Sequence, residues 1–249
     1  MQSQPIDPLV YFDNNATTRV DPRVVAAMLP YFTEYFGNPS SKHGLGAHAG
    51  IAVKRAREQL ASLIGAEHAH EIMFTSGGTE STNAAIMAAL EASPRRREII
   101  TSAVEHPAVL SLCAWLEKNK GIRVHVIPVD RQGHLDISAY RAALSDRVAV
   151  VSIMWANNET GVVSPVADLA ELAKEVGALF HTDAVQAVGK WPIELKSNAI
   201  DMLSLSGHKL HAPKGIGALY VRSGFRFKPQ IKGGQQERGR RAGTENVPG

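Results

Sequence analysis

The chain has 249 residues, of which 44% are hydrophobic and 20% are charged, and its formal net charge is only +3. This is the composition of a soluble globular protein, and the interleaving of basic with acidic residues argues against a nucleic-acid partner. No apolar run approaches the roughly 18 residues of a membrane span, and the first residues lack a signal-peptide pattern. We therefore expect a cytoplasmic protein with no membrane segment.

The sequence contains one cysteine, Cys113. A single cysteine excludes an internal disulfide and cannot make a zinc site by itself. Because it lies in an apolar helical stretch, residues 109–115, we interpret Cys113 as a core residue. No metal site is expected.

The first 65 residues predict an extended segment followed by helices. Small polar residues at 13–18 follow Tyr11 and Phe12 and are typical of a loop. Asp21 and Pro22 supply an N-cap and a first-turn proline for a helix that should run to about Phe32. Apolar residues at helical spacing predict a further helix over residues 47–65.

The next stretch predicts a strand, a tight turn and a helix. Residues 71–75 form the strand, Ser76-Gly77-Gly78 the turn, and residues 79–90 the helix. Free backbone N–H groups and the positive end of the helix dipole would point at one place, so phosphate is the natural ligand. A simple capped turn explains the same residues, because the motif is neither the P-loop nor the dinucleotide fingerprint.

Strands and helices then alternate to the end of the chain. Strands are predicted at residues 98–102, 124–129, 148–154, 179–182, 202–205 and 216–221, and helices at 107–118, 137–144 and 166–176. This alternation predicts an α/β fold with a mostly parallel sheet sandwiched by helices. The last strand follows its predecessor without a helix, so we expect it to be antiparallel. The glycine-rich residues 233–244 predict a loop rather than a core element.

Polar residues follow several of the predicted strands. In a parallel sheet these strand ends meet at one edge, where α/β folds place their chemistry. Ser206-Gly207-His208-Lys209 follows one strand, and a lysine desolvated at such an edge can form a Schiff base with an aldehyde. An ordinary surface lysine is the alternative interpretation.

The residues at two further strand ends suggest which ligand that lysine would bind. Asp183 just past a buried strand would be a costly charge unless it met a cation, such as a protonated pyridine nitrogen. His106 could stack on the ring or transfer protons. Each residue alone could equally be structural, but together with a phosphate cradle they indicate a pyridoxal site.

The same residues carry a family resemblance. The chain resembles the cysteine desulfurases of the nitrogen-fixation type, which are pyridoxal-phosphate enzymes of the class V aminotransferase family. The matching motifs lie at residues 12–18 (FDNNATT), 37–41 (GNPSS), 74–80 (FTSGGTE), 105–110 (EHPAVL), 155–161 (WANNETG), 181–189 (HTDAVQAVG), 205–215 (LSGHKLHAPKG) and 239–246 (GRRAGTEN). The resemblance covers nearly the whole chain.

The resemblance implies the aminotransferase-like fold, known as PLP-dependent fold type I. Residues 21–249 would form the large, cofactor-binding domain, and residues 1–20 would join a small domain. The C-terminal part of that small domain would be absent, so truncation of the chain is expected.

The resemblance also implies roles for individual residues. Lys209 would hold pyridoxal 5'-phosphate and then remove the substrate's α-proton. His106 would stack on the ring and take part in proton transfer, and Asp183 would pair with the ring nitrogen. Gln186 and Asn158 would contact the phenolic side of the ring or the substrate. The phosphate would be held by Gly78, Thr79, Ser206 and His208. In a homodimer, Thr244 would reach the phosphate of the neighbouring subunit's cofactor.

The implied reaction converts L-cysteine to L-alanine. The sulfur becomes an enzyme persulfide and passes to an iron–sulfur scaffold protein for cluster assembly, including that of nitrogenase. The nucleophilic cysteine and the arginine that grips the substrate carboxylate would lie beyond this chain, and Cys113 does not stand in a matching motif. The alternatives are a selenocysteine lyase or another class V aminotransferase, or a catalytically inactive fragment that binds the cofactor.

Overall fold

The computed structural model describes residues 10–249, and a single sheet of seven strands runs through them. The strands are β1 Ile72–Thr75, β2 Glu98–Ser102, β3 Arg123–Ile127, β4 Val148–Ser152, β5 Leu179–Asp183, β6 Met202–Ser206 and β7 Gly217–Val221. The helices are α1 Pro22–Met28, α2 Pro30–Thr33, α3 Gly44–Leu63, α4 Gly78–Ala92, α5 Pro107–Lys120, α6 Ile137–Ala143, α7 Val166–Glu175 and α8 Gln236–Gly239. Single turns of 3₁₀-helix lie at Ala69–Glu71, Leu195–Ser197 and Gly207–Lys209.

The order of strands in the sheet is β1-β7-β6-β5-β4-β2-β3. Pairs among β2 to β6 are parallel, whereas β7 pairs antiparallel with both β1 and β6. The predicted mostly parallel sheet and the antiparallel last strand are therefore confirmed. β7 is inserted between two strands of the sheet, so all of its residues are buried.

Helices cover both faces of the sheet because successive strand residues point to opposite faces. Val150 packs in a cluster with residues of α4 and α5, whereas the next residue, Val151, packs in a cluster with residues of α3, α6 and α7. Cys113 lies in the first cluster and is 3% exposed, as expected of a core residue. The predicted helical sandwich is thus confirmed.

Two local predictions were wrong. The helix expected to run from Pro22 to about Phe32 is broken into α1 and α2 at Pro30, which has no N–H and cannot continue a helix in the usual way. The segment 233–244 is mostly irregular, as predicted, and two of the four residues of α8 have left-handed rather than helical φ/ψ values. The prediction that it lies outside the core was wrong, because Glu237 is only 6% exposed.

Burial of Glu237 has a specific cause. Its carboxylate accepts hydrogen bonds from Arg57 Nη1 at 2.6 Å and Nη2 at 2.8 Å, and from the backbone N–H of Phe74 at 3.1 Å. Glu237 and Arg238 adopt left-handed φ values of 47° and 59°. The ion pair therefore fastens this glycine-rich segment to α3 and β1. The proposed boundary between residues 1–20 and 21–249 stays a prediction, and residues 1–9 lie outside the described part of the chain.

Candidate active site

A cavity of about 600 Å³ lies where the carboxyl ends of the parallel strands meet the N-terminus of α4. Nine of the ten residues predicted for the site line it: Gly78, Thr79, His106, Asn158, Asp183, Gln186, Ser206, His208 and Lys209. They come from the ends of β2, β4, β5 and β6 and from the turn after β1. The parallel order of these strands therefore gathers residues that are more than 100 positions apart in the sequence.

Lys209 ends the single 3₁₀ turn that follows β6, as the sequence predicted for a lysine projected from a strand end. Its Nζ donates hydrogen bonds to the carbonyl oxygens of Asn15 and, at 2.8 Å, of Ala16. Desolvation lowers the pKa of Lys209, and the nearby charge of Lys190 lowers it further, against the opposing charges of Asp13 and Asp183. A lowered pKa makes the unprotonated, nucleophilic amine easier to reach.

Asp183 is the last residue of β5 and is only 7% exposed. Its Oδ1 accepts a hydrogen bond from the backbone N–H of Val185 at 3.0 Å. Burial raises the pKa of Asp183, while that hydrogen bond and the charges of His106 and Lys209 act in the other direction. Within residues 10–249 no cation lies within salt-bridge distance of this carboxyl, so the cavity presents a buried acid that a cationic ligand atom would match.

His106 precedes Pro107 and caps the N-terminus of α5. Its Nδ1 accepts a hydrogen bond from the backbone N–H of Ala108 at 3.1 Å. With Nδ1 acting as acceptor, a neutral ring carries its proton on Nε2. The cap fixes the imidazole at the cavity wall.

The strand, glycine turn and helix N-terminus that the sequence predicts as an anion cradle meet at the start of α4. The helix has 15 residues, and its N-cap Gly77 has a φ of 155° that favours glycine. The N–H groups of the first helical turn have no carbonyl of the same helix to bond, and at Gly78 and Thr79 this turn borders the cavity. A Cβ on Gly78 would lie 2.9 Å from Cγ2 of Val185, so the turn depends on a missing side chain.

Gln186 and Asn158 line the cavity, but their side chains already have partners in the protein. Gln186 Nε2 donates to the carbonyl of Asn15 at 2.9 Å, and its Oε1 accepts from Lys190 Nζ at 2.8 Å. Asn158 Nδ2 donates to Glu159 Oε1 at 2.7 Å. Both residues lie on the cavity side at which Lys209 also meets Asn15.

Asn15 is a site residue that the sequence reasoning missed. It accepts from Lys209 and Gln186 through its carbonyl, and its own Nδ2 donates to the carbonyl of Asn158 at 3.1 Å. Nearby, the backbone N–H and the Oγ1 of Thr18 both donate to the carbonyl of His208 at 2.9 Å. The dense run of small polar residues at 13–18 was the available signal, because such a run can wrap a polar site.

Thr244 is the one predicted site residue outside the cavity. It is exposed and lines a separate pocket of about 170 Å³ together with Ser76 and Gly215.

No group of three or more metal-ligating side chains is found in residues 10–249. None of the helices in that part of the chain is both long and apolar enough to cross a bilayer.

Comparison with known proteins places this geometry in a family. The family model described as aminotransferase class V matches residues 10–249. A cysteine desulfurase of Gluconacetobacter diazotrophicus is 70% identical over 240 residues, which are 96% of this chain and 60% of the relative. The cysteine desulfurase NifS of Azotobacter vinelandii is 62% identical over 96% of this chain and 59% of its own length. The chain therefore spans about three fifths of the length of these relatives.

Solved structures agree. A NifS-like protein superposes with a TM-score of 0.93 at 44% identity, covering 96% of this chain and 66% of its own. The structure of SspA in complex with cysteine superposes with a TM-score of 0.91 at 40% identity, covering 96% of this chain and 69% of its own. The sheet, the cavity and these matches lead to one conclusion: the chain belongs to the class V aminotransferase family.

Proposed function

We propose that this chain binds pyridoxal 5'-phosphate and belongs to a cysteine desulfurase, which converts L-cysteine to L-alanine and passes the sulfur to a thiol as a persulfide. The observation that carries the proposal is a single cavity where Lys209, Asp183 and His106 face the N-terminus of α4. The names of the relatives support the reaction, and the solved complex of SspA with cysteine supports the substrate.

The residues present fit the chemical groups of this cofactor. The first turn of α4, with Gly78 and Thr79, suits a phosphate, and Ser206 and His208 add polar groups at the same cavity. The buried carboxyl of Asp183 suits a protonated ring nitrogen. The amine of Lys209, with its lowered pKa, suits an aldehyde.

Pyridoxal phosphate, when bound, supplies a carbonyl for amines and a ring that withdraws electrons from the substrate's α-carbon. The protein's own groups would do the rest. Lys209 would take the proton from that carbon, because its lowered pKa leaves a larger fraction of its amine unprotonated than in a solvated lysine. His106 would donate and accept protons from Nε2, while its Nδ1 stays bonded to the N–H of Ala108. Gln186 and Asn158 would exchange their present partners for cofactor or substrate.

Cys113 is excluded as the sulfur acceptor. It is 3% exposed, and burial raises the pKa of its thiol to about 12, so the thiolate that must attack the substrate sulfur is scarce at neutral pH. As Cys113 is the one cysteine of the 249 residues, the accepting thiol comes from elsewhere. A chain that binds the cofactor without turning over is therefore a second candidate function.

The assembly and its partners complete the proposal. A homodimer would bring the exposed Thr244 of one subunit to the cofactor phosphate of the other. The persulfide sulfur would pass to an iron–sulfur scaffold protein in the cytoplasm, in support of cluster assembly for nitrogenase. Sedimentation with and without pyridoxal phosphate measures the dimer directly, and a monomer under both conditions would contradict it.

The Lys209 assignment is tested by cofactor retention. The wild-type chain mixed with pyridoxal phosphate should absorb in the visible range and, after reduction with borohydride and denaturation, keep the pyridoxyl group on Lys209. Lys209→Ala should keep none, whereas Lys214→Ala, which changes an exposed lysine five residues away, should behave as wild type. Pyridoxyl groups spread over several lysines in peptide mass spectrometry would overturn the assignment.

The two candidate functions are separated by adding L-cysteine and an external thiol. Formation of alanine shows turnover by this chain. A bound cofactor without alanine favours the binding function.

A further inference from the structure

Glu105 is a fully enclosed acid next to the candidate active site that the proposed reaction does not use. It follows β2, directly precedes His106, and is 5% exposed. Its Oε1 accepts two hydrogen bonds, from Ser102 Oγ at 2.6 Å and from the backbone N–H of Met154 at 2.8 Å. Its Oε2 is buried and has no hydrogen-bond partner within residues 10–249.

These contacts join two loops of the cavity wall. Ser102 belongs to the end of β2, on the same segment as Glu105 and His106, whereas Met154 follows β4 and leads to Asn158. A second bond runs in parallel, from Asn157 Nδ2 to the carbonyl of Val104 at 3.0 Å. His106 and Asn158 therefore sit on loops that are bonded to each other beneath the cavity.

The surroundings of Glu105 favour the neutral acid. An ionised carboxylate has four lone-pair sites to satisfy, and here one oxygen receives no donor at all. The charged and titratable groups that face it are Asp183, at the end of β5, and the thiol of Cys113, on α5, and neither is a cation. Burial raises the pKa of Glu105 to about 8, against the opposing hydrogen bonds from Ser102 and Met154. The charge of Asp183 is the smallest of these influences and adds to the rise.

We propose that Glu105 is a positioning residue whose neutral carboxyl fastens the loop that carries His106 to the loop that carries Asn158. Neutrality has a second consequence, because Asp183 can then hold the negative charge that faces the cavity without a like charge behind it. The link to cofactor chemistry rests on the proposed function, whereas the neutrality of Glu105 does not.

The first experiment measures proton linkage without any cofactor. Urea unfolding of wild type and of Glu105→Gln is compared from pH 5 to pH 9, with Glu91→Gln, an exposed position on α4, as the matched control. Wild type releases the Glu105 proton on unfolding, so its unfolding constant should rise by about tenfold per pH unit relative to Glu105→Gln up to about pH 8, and then stay level. If the ratio of the two unfolding constants does not change with pH, the carboxyl of Glu105 is not neutral in the folded chain, whatever the function of the site.

The second experiment measures positioning. Glutamine keeps an oxygen that accepts from Ser102 and Met154, whereas alanine leaves both donors buried without a partner. Glu105→Gln should therefore retain the visible circular dichroism of bound pyridoxal phosphate, and Glu105→Ala should lose most of it. Equal signals in both variants would overturn the positioning role. If wild type itself binds no pyridoxal phosphate, the proposed function fails while the first experiment still decides the state of Glu105.

Discussion

At the scale of single residues, burial shifts acids and bases of the cavity toward their neutral forms. The pKa of Asp183 is raised and that of Lys209 is lowered, with desolvation as the largest cause in both cases. The two groups face one cavity, and the charge of each favours the charged form of the other. A ligand that carries a cation to Asp183 would restore the carboxylate, so we expect cofactor affinity to depend on the ionisation of this one acid.

The variant Asp183→Asn tests that expectation. It removes the charge but keeps the shape, so it should weaken the affinity for pyridoxal phosphate by one to two orders of magnitude, on the basis of about 1.5–3 kcal/mol for a hydrogen bond to a charged group. Wild-type affinity should also fall as the pH drops through the raised pKa of Asp183, because the acid takes up a proton and loses its charge. Equilibrium dialysis against pH measures both, and an equally steep fall in Asp183→Asn would contradict the assignment.

At the scale of elements, the turn before α4 and the attachment of α8 to the sheet depend on different interactions. The turn relies on the absence of a side chain at Gly78, where a Cβ would meet Val185 at 2.9 Å. The fastening relies on a paired charge, because the side chain of Arg57 is 9% exposed and that of Glu237 is 2% exposed. Each can be tested against a matched position in the same chain.

Gly78→Ala should weaken phosphate and cofactor binding. Gly78 and Gly44 are both the first residue of a helix, but a Cβ on Gly44 would have nothing within 4 Å. We expect Gly44→Ala to change neither binding nor stability by more than about 1 kcal/mol, in line with the helix propensities of the two residues. Titration with inorganic phosphate and with pyridoxal phosphate gives the comparison, and equal affinities in the two variants would disprove the cradle.

Removing Arg57 should be strongly destabilising. Arg57→Met leaves the carboxylate of Glu237 buried without its partner, which typically costs about 3–5 kcal/mol. The exposed pair of Lys54 and Glu58 on the same helix, 3.8 Å apart, should contribute less than about 1 kcal/mol, so Lys54→Met is the control. Urea unfolding of both variants measures the difference, and similar losses would show that Arg57–Glu237 is not a structural pair.

At the scale of the whole molecule, buried titratable groups make stability depend on pH. His181 is completely buried in β5, with Nδ1 2.9 Å from Ser152 Oγ and Nε2 2.8 Å from Ser204 Oγ, so it bridges three neighbouring strands. Burial lowers the pKa of His181 to about 3. Glu105 has the opposite effect on stability: its pKa is raised to about 8, so its contribution to the free energy of unfolding is lost as the pH rises towards 8.

The contribution of His181 to stability should be complete above pH 6.5 and should be lost as the pH falls towards 3. The unfolded chain binds a proton at the histidine below about pH 6.5, whereas the folded chain does not, so the free energy of unfolding falls by about 1.4 kcal/mol per pH unit. His181→Gln should lack this slope between pH 6 and pH 4, even if it is less stable throughout. Proton NMR of the ring at pH 5 is an independent check, and a charged imidazole there would refute the prediction.

The sequence by itself determined the order of strands and helices and the antiparallel last strand, and nine of the ten residues predicted for the site line the cavity. Local patterns decide these features, because hydrophobic periodicity sets the elements and a parallel sheet brings their carboxyl ends to one edge. Only the tertiary structure decided that the segment with Asn15 contacts Lys209 and that Arg57 pairs with the buried Glu237. It alone also showed that Glu105 is enclosed near Asp183. These contacts join positions up to 194 residues apart, and their energies depend on burial, which no local pattern of residues encodes.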